Sequence, residues 1–324
     1  MRNILLHIGR HKTGTTAIQH FLWENRATLR DRGWLVPHAG RMNAGHHGFS
    51  RALAPSELEQ DPGQDLTQIR ALRQLRRELV DVEDQTRVVI SSEAFQNCRS
   101  SDVAGAFVEY VPRVIVYLRN QLDYLPSAYA QRVHGSNYQG TLEEYYTDIF
   151  QHGLDYHAFL QDWQTVFPEA FTVRRYDPAS IVEDFCAQGL GLPLQGLQKP
   201  QGDQNPSLNS LVTEFKRRQN ALPEGERPHQ AAVYFLLPLL NQRFPAPRVQ
   251  VPQGIADDIL QRCREPESWV AKTYFGEPQL FEYRKPVTQA TPELDEDTYQ
   301  AMNELLQQLR EAYPTPADTR EARL

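Results

Sequence analysis

Short apolar runs alternate with helical patterns along the first 180 or so residues. Three runs rich in Ile, Val and Leu predict buried strands at residues 3–8, 87–93 and 113–119, and residues 171–176 predict a fourth strand. Between them, apolar residues recur at helical spacing, at Ile18, Phe21 and Leu22 and again over residues 66–79. This alternation is typical of βαβ units, so it predicts a central parallel sheet.

The C-terminal third has a different pattern. A stretch rich in Pro, Gly and Gln at residues 194–206 predicts a loop or linker. Helical patterns follow at residues 208–215 and 302–309. We therefore expect an α/β core over residues 1–193 and a mainly helical extension packed on it over residues 194–324. The alternative is that both belong to one continuous domain.

Composition narrows the class of protein. The chain has 324 residues, of which 40% are hydrophobic, and a net charge of −7, which argues against a nucleic-acid binder. Its three cysteines are odd in number and lack metal-ligand spacing, which disfavours a disulfide scaffold or a structural zinc site. No apolar stretch is long enough to span a bilayer. The sequence therefore predicts a soluble protein of a reducing cytoplasm.

The loop after the first predicted strand carries the clearest motif. It reads Gly9-Arg10-His11-Lys12-Thr13-Gly14-Thr15-Thr16, with two glycines five apart as in the nucleotide-binding P-loop. Such a turn directs backbone N–H groups at one point, and the following helix adds a partial positive charge. The loop therefore suits a phosphate or sulfate group.

The details of this loop favour a function other than nucleoside triphosphate hydrolysis. Thr15 stands where a P-loop NTPase has lysine, and the lysine lies inside the loop as Lys12. A magnesium-dependent NTPase also needs an acidic residue at the end of an apolar strand. The only candidate is Glu93, which follows two serines, so ATP or GTP hydrolysis is the weaker interpretation.

The run Lys12-Thr13-Gly14-Thr15-Thr16 resembles the 5′-phosphosulfate-binding loop of sulfotransferases that use 3′-phosphoadenosine 5′-phosphosulfate (PAPS). In that family the loop is usually Pro-Lys-[Thr/Ser]-Gly-Thr-Thr, and here His11 stands in the proline position. The family's 3′-phosphate-binding segment is an arginine after a strand and a serine eight residues later, usually with an aromatic residue shortly after. Arg119, Ser127 and Tyr129 match it. A guanidinium and a hydroxyl are suitable partners for a phosphate dianion.

The resemblance, to the bacterial and glycan-modifying members of the family, implies a fold and a reaction. The implied fold is a P-loop NTPase-like three-layer α/β/α sandwich. The implied reaction moves a sulfuryl group from PAPS to a hydroxyl or amine, which the resemblance leads us to expect on a carbohydrate, and releases 3′-phosphoadenosine 5′-phosphate (PAP) without a metal. The implied donor-binding residues are Arg10, His11, Lys12, Thr13, Gly14, Thr15, Thr16, Arg119 and Ser127. Lys12 is also expected to stabilise the leaving phosphate.

A general base has three candidates. Glu93 follows the second predicted strand, and a carboxylate there can take the proton of the acceptor. The alternative is that Glu93 pairs with an arginine and only shapes the pocket. His46 or His47 is the other candidate, because animal sulfotransferases of small molecules use histidine, although adjacent histidines are common as plain loop residues. A metal site of these two with His38 lacks a suitably spaced carboxylate or cysteine.

Two other functions stay open at the level of sequence. One is a P-loop kinase or NTPase that acts on a small molecule. The other is a non-catalytic nucleotide-binding protein that has kept the loop. The presence of both Lys12 and Glu93 favours an enzyme over a binding protein.

Overall fold

The computed structural model describes residues 1–60, 63–200, 208–224, 226–227, 233, 235–283 and 293–313. These residues form two compact units. The first unit is Met1–Arg119 with Tyr156–Asn205, and the second is Asn120–Asp155 with Pro206–Leu324. The division at residues 193 and 194 that the sequence suggests stays a prediction.

The first unit is built around a parallel sheet. Its strands are β1 Arg2–His7, β2 Trp34–Leu35, β3 Arg87–Ser91, β4 Tyr110–Leu118 and β5 Phe171–Arg175. They lie in the order β2-β3-β1-β4-β5, and every pair is parallel. The predicted α/β fold with a central parallel sheet is therefore confirmed, and β1 is the middle strand.

Helices connect the strands of the first unit and form the second unit. In chain order they are α1 Thr15–Glu24, α2 Arg26–Asp31, α3 His47–Ala52, α4 Pro55–Leu58, α5 Arg70–Glu78, α6 Ser100–Ala106, α7 Gln121–Gly135, α8 Leu142–Asp148, α9 Tyr156–Val166, α10 Ile181–Asp184, α11 Ser210–Ala221, α12 Leu237–Arg243, α13 Gln253–Val270 and α14 Glu296–Ala312. Short 3₁₀ turns lie at Leu66–Gln68, Glu93–Asn97 and Phe150–Gly153, and π-helical segments at Phe185–Leu190 and Ala271–Phe275.

Both faces of the sheet are buried. Successive side chains of a strand point to opposite faces, and Ile4 and Leu5 of β1 are both excluded from solvent. Leu5 belongs to a core that includes Phe21 of α1 and Phe185. Each such side chain contributes about 1.5–3 kcal/mol when it is fully buried. A sheet covered on both faces by helical segments is the three-layer arrangement expected for parallel strands.

The second unit, taken by itself, is helical in its described residues and contains two apolar clusters. The first joins α7, α8 and α13 through Leu125, Tyr129, Tyr145, Phe150, Ile259 and Cys263. The second joins α11, α12 and α14 through Val212, Phe215, Leu237, Leu240, Met302 and Leu306. Asn220 of α11 connects the two, because its amide donates to the carbonyl oxygens of Val133, Ser136 and Tyr138 (2.8–3.3 Å).

The longest described helices are too polar to cross a lipid bilayer. Helix α13 has 18 residues but carries charged side chains along its length. In the part of the chain that the structure describes, no helix is both long enough and apolar enough to cross a membrane.

Candidate functional site

Three predicted site regions meet at the carboxyl edge of the sheet. The loop that begins at Gly9 leaves the middle strand β1, Glu93 follows β3 on one side of it, and Arg119 follows β4 on the other. Pairing with β4 continues past the end of β1, where the Tyr117 N–H donates to the Gly9 carbonyl (2.9 Å). The order of the strands therefore places the loop between a carboxylate and a guanidinium. In open parallel sheets this edge is where ligands bind.

The two glycines of the loop are required by their surroundings. Gly9 has φ +104°, and a Cβ there would lie 3.0 Å from the Cα of Glu93. Gly14 has φ +75°, and a Cβ there would lie 2.9 Å from side-chain atoms of Tyr176 and Ile181. These are left-handed conformations in tight spaces, so glycine is the residue that fits both positions. The close approach at Gly9 also fixes Glu93 against the start of the loop.

The loop ends at the N-terminus of α1. Gly14 is the residue before the helix and offers no side chain to the first-turn N–H groups, so no side-chain cap is made there. These groups have no partner within the helix and carry its partial positive charge. Inside the loop, the buried Thr13 hydroxyl donates to the Arg10 carbonyl (2.5 Å) and braces the turn. The arrangement is suited to an oxyanion.

Arg119 is held directly against the loop. Its guanidinium donates to the carbonyl oxygen of Lys12 (2.8 Å). Its own carbonyl accepts a hydrogen bond from the Tyr156 hydroxyl (2.7 Å), and its guanidinium carbon lies 5.4 Å from the centroid of the Tyr176 ring. Both ends of the residue are thereby fixed. A permanent positive charge is thus placed beside the predicted anion-binding turn.

Two further cations come from the loop itself. Arg10 packs on helix α9, with its guanidinium carbon 5.1 Å from the centroid of Tyr156 and 4.9 Å from that of Phe159. Lys12 is half-buried and has φ +59°, a left-handed conformation that few residues other than glycine adopt. The loop therefore combines backbone amides with two basic side chains, and this combination favours an anionic ligand.

Glu93 is half-buried and oriented by helix α1. The amide of Gln19 donates to its Oε2 (2.8 Å). Burial alone raises the pKa of this carboxyl group, but the nearby His47, its own backbone N–H, His11 and the Gln19 bond outweigh that effect. The pKa of Glu93 therefore lies below its usual value. The side chain is a carboxylate at neutral pH, the form in which it can accept a proton.

His47 forms a chain of hydrogen bonds with two serine hydroxyl groups near Glu93. Its Nδ1 lies 2.8 Å from the Ser92 Oγ, which lies 2.8 Å from the Ser50 Oγ. The Ser50 hydroxyl also donates to the His47 carbonyl (3.2 Å). A Cβ on Gly45 would lie 2.7 Å from His47 Nε2 and 2.8 Å from Gln19 Nε2. The ring therefore stands next to the amide that orients Glu93.

His46 has a different environment from its neighbour. It is buried, and the Ser91 N–H donates to its Nδ1 (3.1 Å), so the proton is on Nε2 and is donated to the Pro37 carbonyl (2.9 Å). Burial is the main cause that lowers its pKa to about 4. His46 is thus uncharged at neutral pH, and both of its ring nitrogens bind backbone atoms.

Two more histidines lie near the loop. His7, at the end of β1, is fully buried, with its Nδ1 2.8 Å from the Ser91 Oγ, and burial lowers its pKa to about 4 despite the charge of Glu93. His11 is half-buried. Burial, with Arg10 and Lys12, outweighs the attraction of Glu93 and lowers the pKa of His11 below its usual value. Burial therefore disfavours the charged form of both rings.

The structure brings together most of the predicted residues of the first unit. The loop from Arg10 to Thr16, Glu93, His47 and Arg119 surround one turn, whereas Ser127 lies half-buried on α7 in the second unit. Within the described residues, no three His, Cys, Asp or Glu side chains are grouped to hold a metal ion. The parts these residues play in binding and catalysis stay predictions.

Gln19 was not predicted from the sequence. A signal for it exists, because it is a polar residue four positions after Thr15 and therefore on the same face of the helix that leaves the loop.

The similarity of the chain to known proteins is low in sequence identity. No family model matches the chain. An uncharacterized protein of Archaeoglobus fulgidus is 28% identical over 204 residues, which are 60% of this chain and 55% of that protein, so the chain spans little more than half of the length of this relative. A solved structure of a sulfotransferase from Alicyclobacillus acidocaldarius is 21% identical and covers 64% of this chain and 87% of its own, with a TM-score of 0.42. None of these similarities assigns a function to this chain.

Proposed function

We propose that this protein is a PAPS-dependent sulfotransferase that transfers a sulfuryl group to a carbohydrate hydroxyl. The observation that carries the proposal is the arrangement at the edge of the sheet. An anion-binding turn leaves the middle strand, with the carboxylate of Glu93 on one side and the guanidinium of Arg119 on the other. Sulfuryl transfer needs these three elements: an anion site, a base and additional positive charge.

In this proposal the donor lies on the loop. The 5′-phosphosulfate accepts hydrogen bonds from the amides of Thr13 to Thr16, and Lys12 neutralises the charge that develops on the bridging oxygen. Arg119 binds the 3′-phosphate, the group that distinguishes PAPS from ATP. The bond from Arg119 to the Lys12 carbonyl supports this assignment, because it fixes the guanidinium beside the loop before any ligand binds. The part of Ser127 at the same phosphate stays a prediction from the sequence.

The proposed reaction is an in-line displacement at sulfur. The acceptor oxygen forms a bond to sulfur as the bond between sulfur and the 5′-phosphate oxygen breaks, and PAP leaves with that electron pair. The proton of the acceptor hydroxyl passes to the carboxylate of Glu93. Two observations support Glu93 in this role: it is ionised at neutral pH and can therefore accept a proton, and the Gln19 amide fixes its orientation. His47 is the alternative base, next to the same amide.

The proposal is tested by ligand binding. Thermal denaturation of the wild-type protein is measured with PAP and, separately, with ATP and Mg²⁺. A ligand at a hundred times its dissociation constant stabilises the folded state by about 2.7 kcal/mol, which raises the melting temperature by several degrees. We expect this shift with PAP and a much smaller one with ATP and Mg²⁺. Stabilisation by ATP and Mg²⁺ but not by PAP would support a kinase or NTPase instead.

A matched pair of variants tests the part that the loop plays in turnover. Lys12→Ala removes a loop cation, whereas Arg30→Ala removes an equal charge from an exposed position on α2. Both variants are expected to fold. In turnover with PAPS, Lys12→Ala should lower kcat by more than it raises KM, because the lysine acts mainly on the leaving group. Arg30→Ala should behave as the wild-type protein does.

A further inference from the structure

Two arginines stack on one tryptophan in the first unit. The guanidinium carbon of Arg41 lies 3.3 Å from the centroid of the Trp23 ring, and that of Arg26 lies 4.5 Å from it. Arg26 also donates to the Trp23 carbonyl (2.9 Å), and the His38 ring meets the indole edge-on at 4.9 Å. We call Trp23, Arg26, His38 and Arg41 the arginine–tryptophan cluster. It concentrates positive charge on a half-buried aromatic side chain.

The two arginines of this cluster are not paired with an acid in the described part of the chain, although the carboxylate of Glu78 accepts a hydrogen bond from the His38 backbone N–H (2.9 Å). Among the described residues, none of the ion pairs includes Arg26 or Arg41. The Nε of Arg41 is buried and has no hydrogen-bond partner in the described part of the chain. Burial, together with the charge of Arg26, lowers the pKa of Arg41. Buried donors are nearly always satisfied in proteins, so an unsatisfied guanidinium N–H beside a second guanidinium indicates a place for an anion.

The cluster lies beside the candidate active site. Gln19, which holds Glu93, and Trp23 are four residues apart on α1, so they share a face of the helix and are about 6 Å apart along its axis. The segment opposite this face contacts both positions, because Arg41 stacks on Trp23 and Gly45 approaches Gln19. One face of α1 therefore runs from the predicted donor loop past the predicted base to the cluster. The distance of about 6 Å between Gln19 and Trp23 along the helix axis is comparable with the length of one sugar unit.

We propose that the arginine–tryptophan cluster binds an oxyanion, a carboxylate or a sulfate, on the sugar unit next to the one that is sulfated. This inference rests on the proposed function and makes its acceptor class more specific, an anionic rather than a neutral saccharide. Stacking on Trp23 holds the guanidinium planes, and their terminal NH₂ groups donate to the oxyanion. The planar guanidinium group loses little conformational freedom when it binds the oxyanion, and this favours a selective contact.

The test measures binding of three disaccharides to the protein saturated with PAP. The first carries a glucuronate and no sulfate, the second is its carboxyl-reduced neutral form, and the third is that neutral form with one sulfate. Titration calorimetry should show the wild-type protein binding at least one charged disaccharide about tenfold more tightly than the neutral one, the size of one charge-assisted hydrogen bond. The stronger of the two charged ligands identifies the oxyanion.

Variants connect this preference to the cluster. Arg41→Gln and Arg26→Gln should each abolish most of the tenfold preference and leave PAP affinity unchanged, whereas the exposed control Arg30→Gln should keep it. Thermal denaturation of each variant shows that it is folded. A wild-type protein without the preference, or with no affinity for any of the three disaccharides, would overturn the inference. Two cluster variants that keep the preference would do the same.

The PAP titration separates the two proposals. If the wild-type protein does not bind PAP, the proposed sulfotransferase function fails, and the disaccharide preference is then measured without nucleotide and judged by itself. If PAP binds and the preference is absent, only the anionic acceptor fails.

Discussion

Replacement of Glu93 by glutamine separates catalysis from the architecture of the pocket. The substitution keeps the size of the side chain and removes its charge and basic oxygen. The new amide oxygen can still accept the hydrogen bond that Gln19 Nε2 now donates to Oε2 (2.8 Å). The backbone of residue 93 stays in place because its position is set by β3 and by the close approach of Gly9. The pocket should therefore keep its shape while it loses the base.

The expected loss of rate follows from the role of a positioned base. General base catalysis supplies about 10²–10⁴-fold in rate. This factor corresponds to about 2.7–5.4 kcal/mol in the free energy of activation. Glu93→Gln should lower kcat/KM by this factor near neutral pH. PAP affinity should be unchanged or slightly higher, since a negative charge near an anionic ligand is removed.

The assay is the pH dependence of kcat/KM with PAPS as donor. Because His47, His11 and Gln19 hold the pKa of Glu93 below its usual 4.5, activity of the wild-type protein should persist until the pH falls below about 4.5. In the variant this acidic limb should disappear together with most of the activity. If a histidine were the base instead, the acidic limb would persist in Glu93→Gln, because the group that produces it would still be present.

Two results would refute this reasoning. The first is a variant with near-normal turnover but weak PAP binding and a lowered melting temperature, which is the behaviour of a structural Glu93. The second is an acidic limb that persists in Glu93→Gln together with a larger loss of rate in His47→Gln than in Glu93→Gln. That outcome would transfer the role of base to the histidine beside Gln19.

Three further outcomes are expected. Gln19→Leu should raise the pKa of Glu93, because the bond from Gln19 stabilises the charged form, and should therefore move the acidic limb of the rate profile to higher pH. Arg119→Ala should weaken PAP at least about tenfold in a calorimetric titration but leave adenosine 5′-phosphosulfate nearly unchanged, and an equal loss for both would mean that Arg119 acts only through the Lys12 carbonyl. Glu267→Gln should raise the melting temperature at about pH 8 and not at about pH 4, because burial raises the pKa of Glu267 to about 7 and its ionised form favours unfolding above the usual value of 4.5.

Most of the sheet could be predicted because three of its strands, β1, β3 and β4, contain continuous apolar runs. The run predicted at residues 113–119 is the core of β4, but the strand begins earlier, at Tyr110, and crosses Pro112. The Val114 N–H points to the β5 side, where it donates to Ala170. Two residues earlier, Pro112 faces the same side before β5 begins, so its missing N–H costs no sheet hydrogen bond.

Strand β2 could not be predicted from periodicity. It consists of two residues, Trp34 and Leu35, which are too few to show an alternation. Its existence depends on pairing with β3, where Trp34 lies opposite Arg87. Such a long-range partner is absent from any local pattern.

Some parts of the candidate site could likewise be predicted from the sequence, and others could not. The loop was predictable because its residues are contiguous and each has a local reason, such as the left-handed backbone at Gly9 and Gly14. The contact between Gln19 and Glu93 joins residues 74 positions apart and depends on the register of β1 and β3. The stacking of Arg41 on Trp23 depends on the path of a loop that has no periodic pattern. Tertiary packing determines these contacts, so the sequence could name Glu93 as a candidate base but not the groups that orient it.

Transfer of sulfur from PAPS tests the central claim most directly. The protein is incubated with PAPS that carries radioactive sulfur and with a panel of neutral and anionic glycans, and the label is followed from nucleotide to glycan. We predict that label moves to a glycan in the wild-type protein and in Arg30→Ala, and that transfer falls by about 10²-fold or more in Lys12→Ala. If label stays on the nucleotide while the terminal phosphate of ATP is transferred or hydrolysed by the same protein, the account is contradicted.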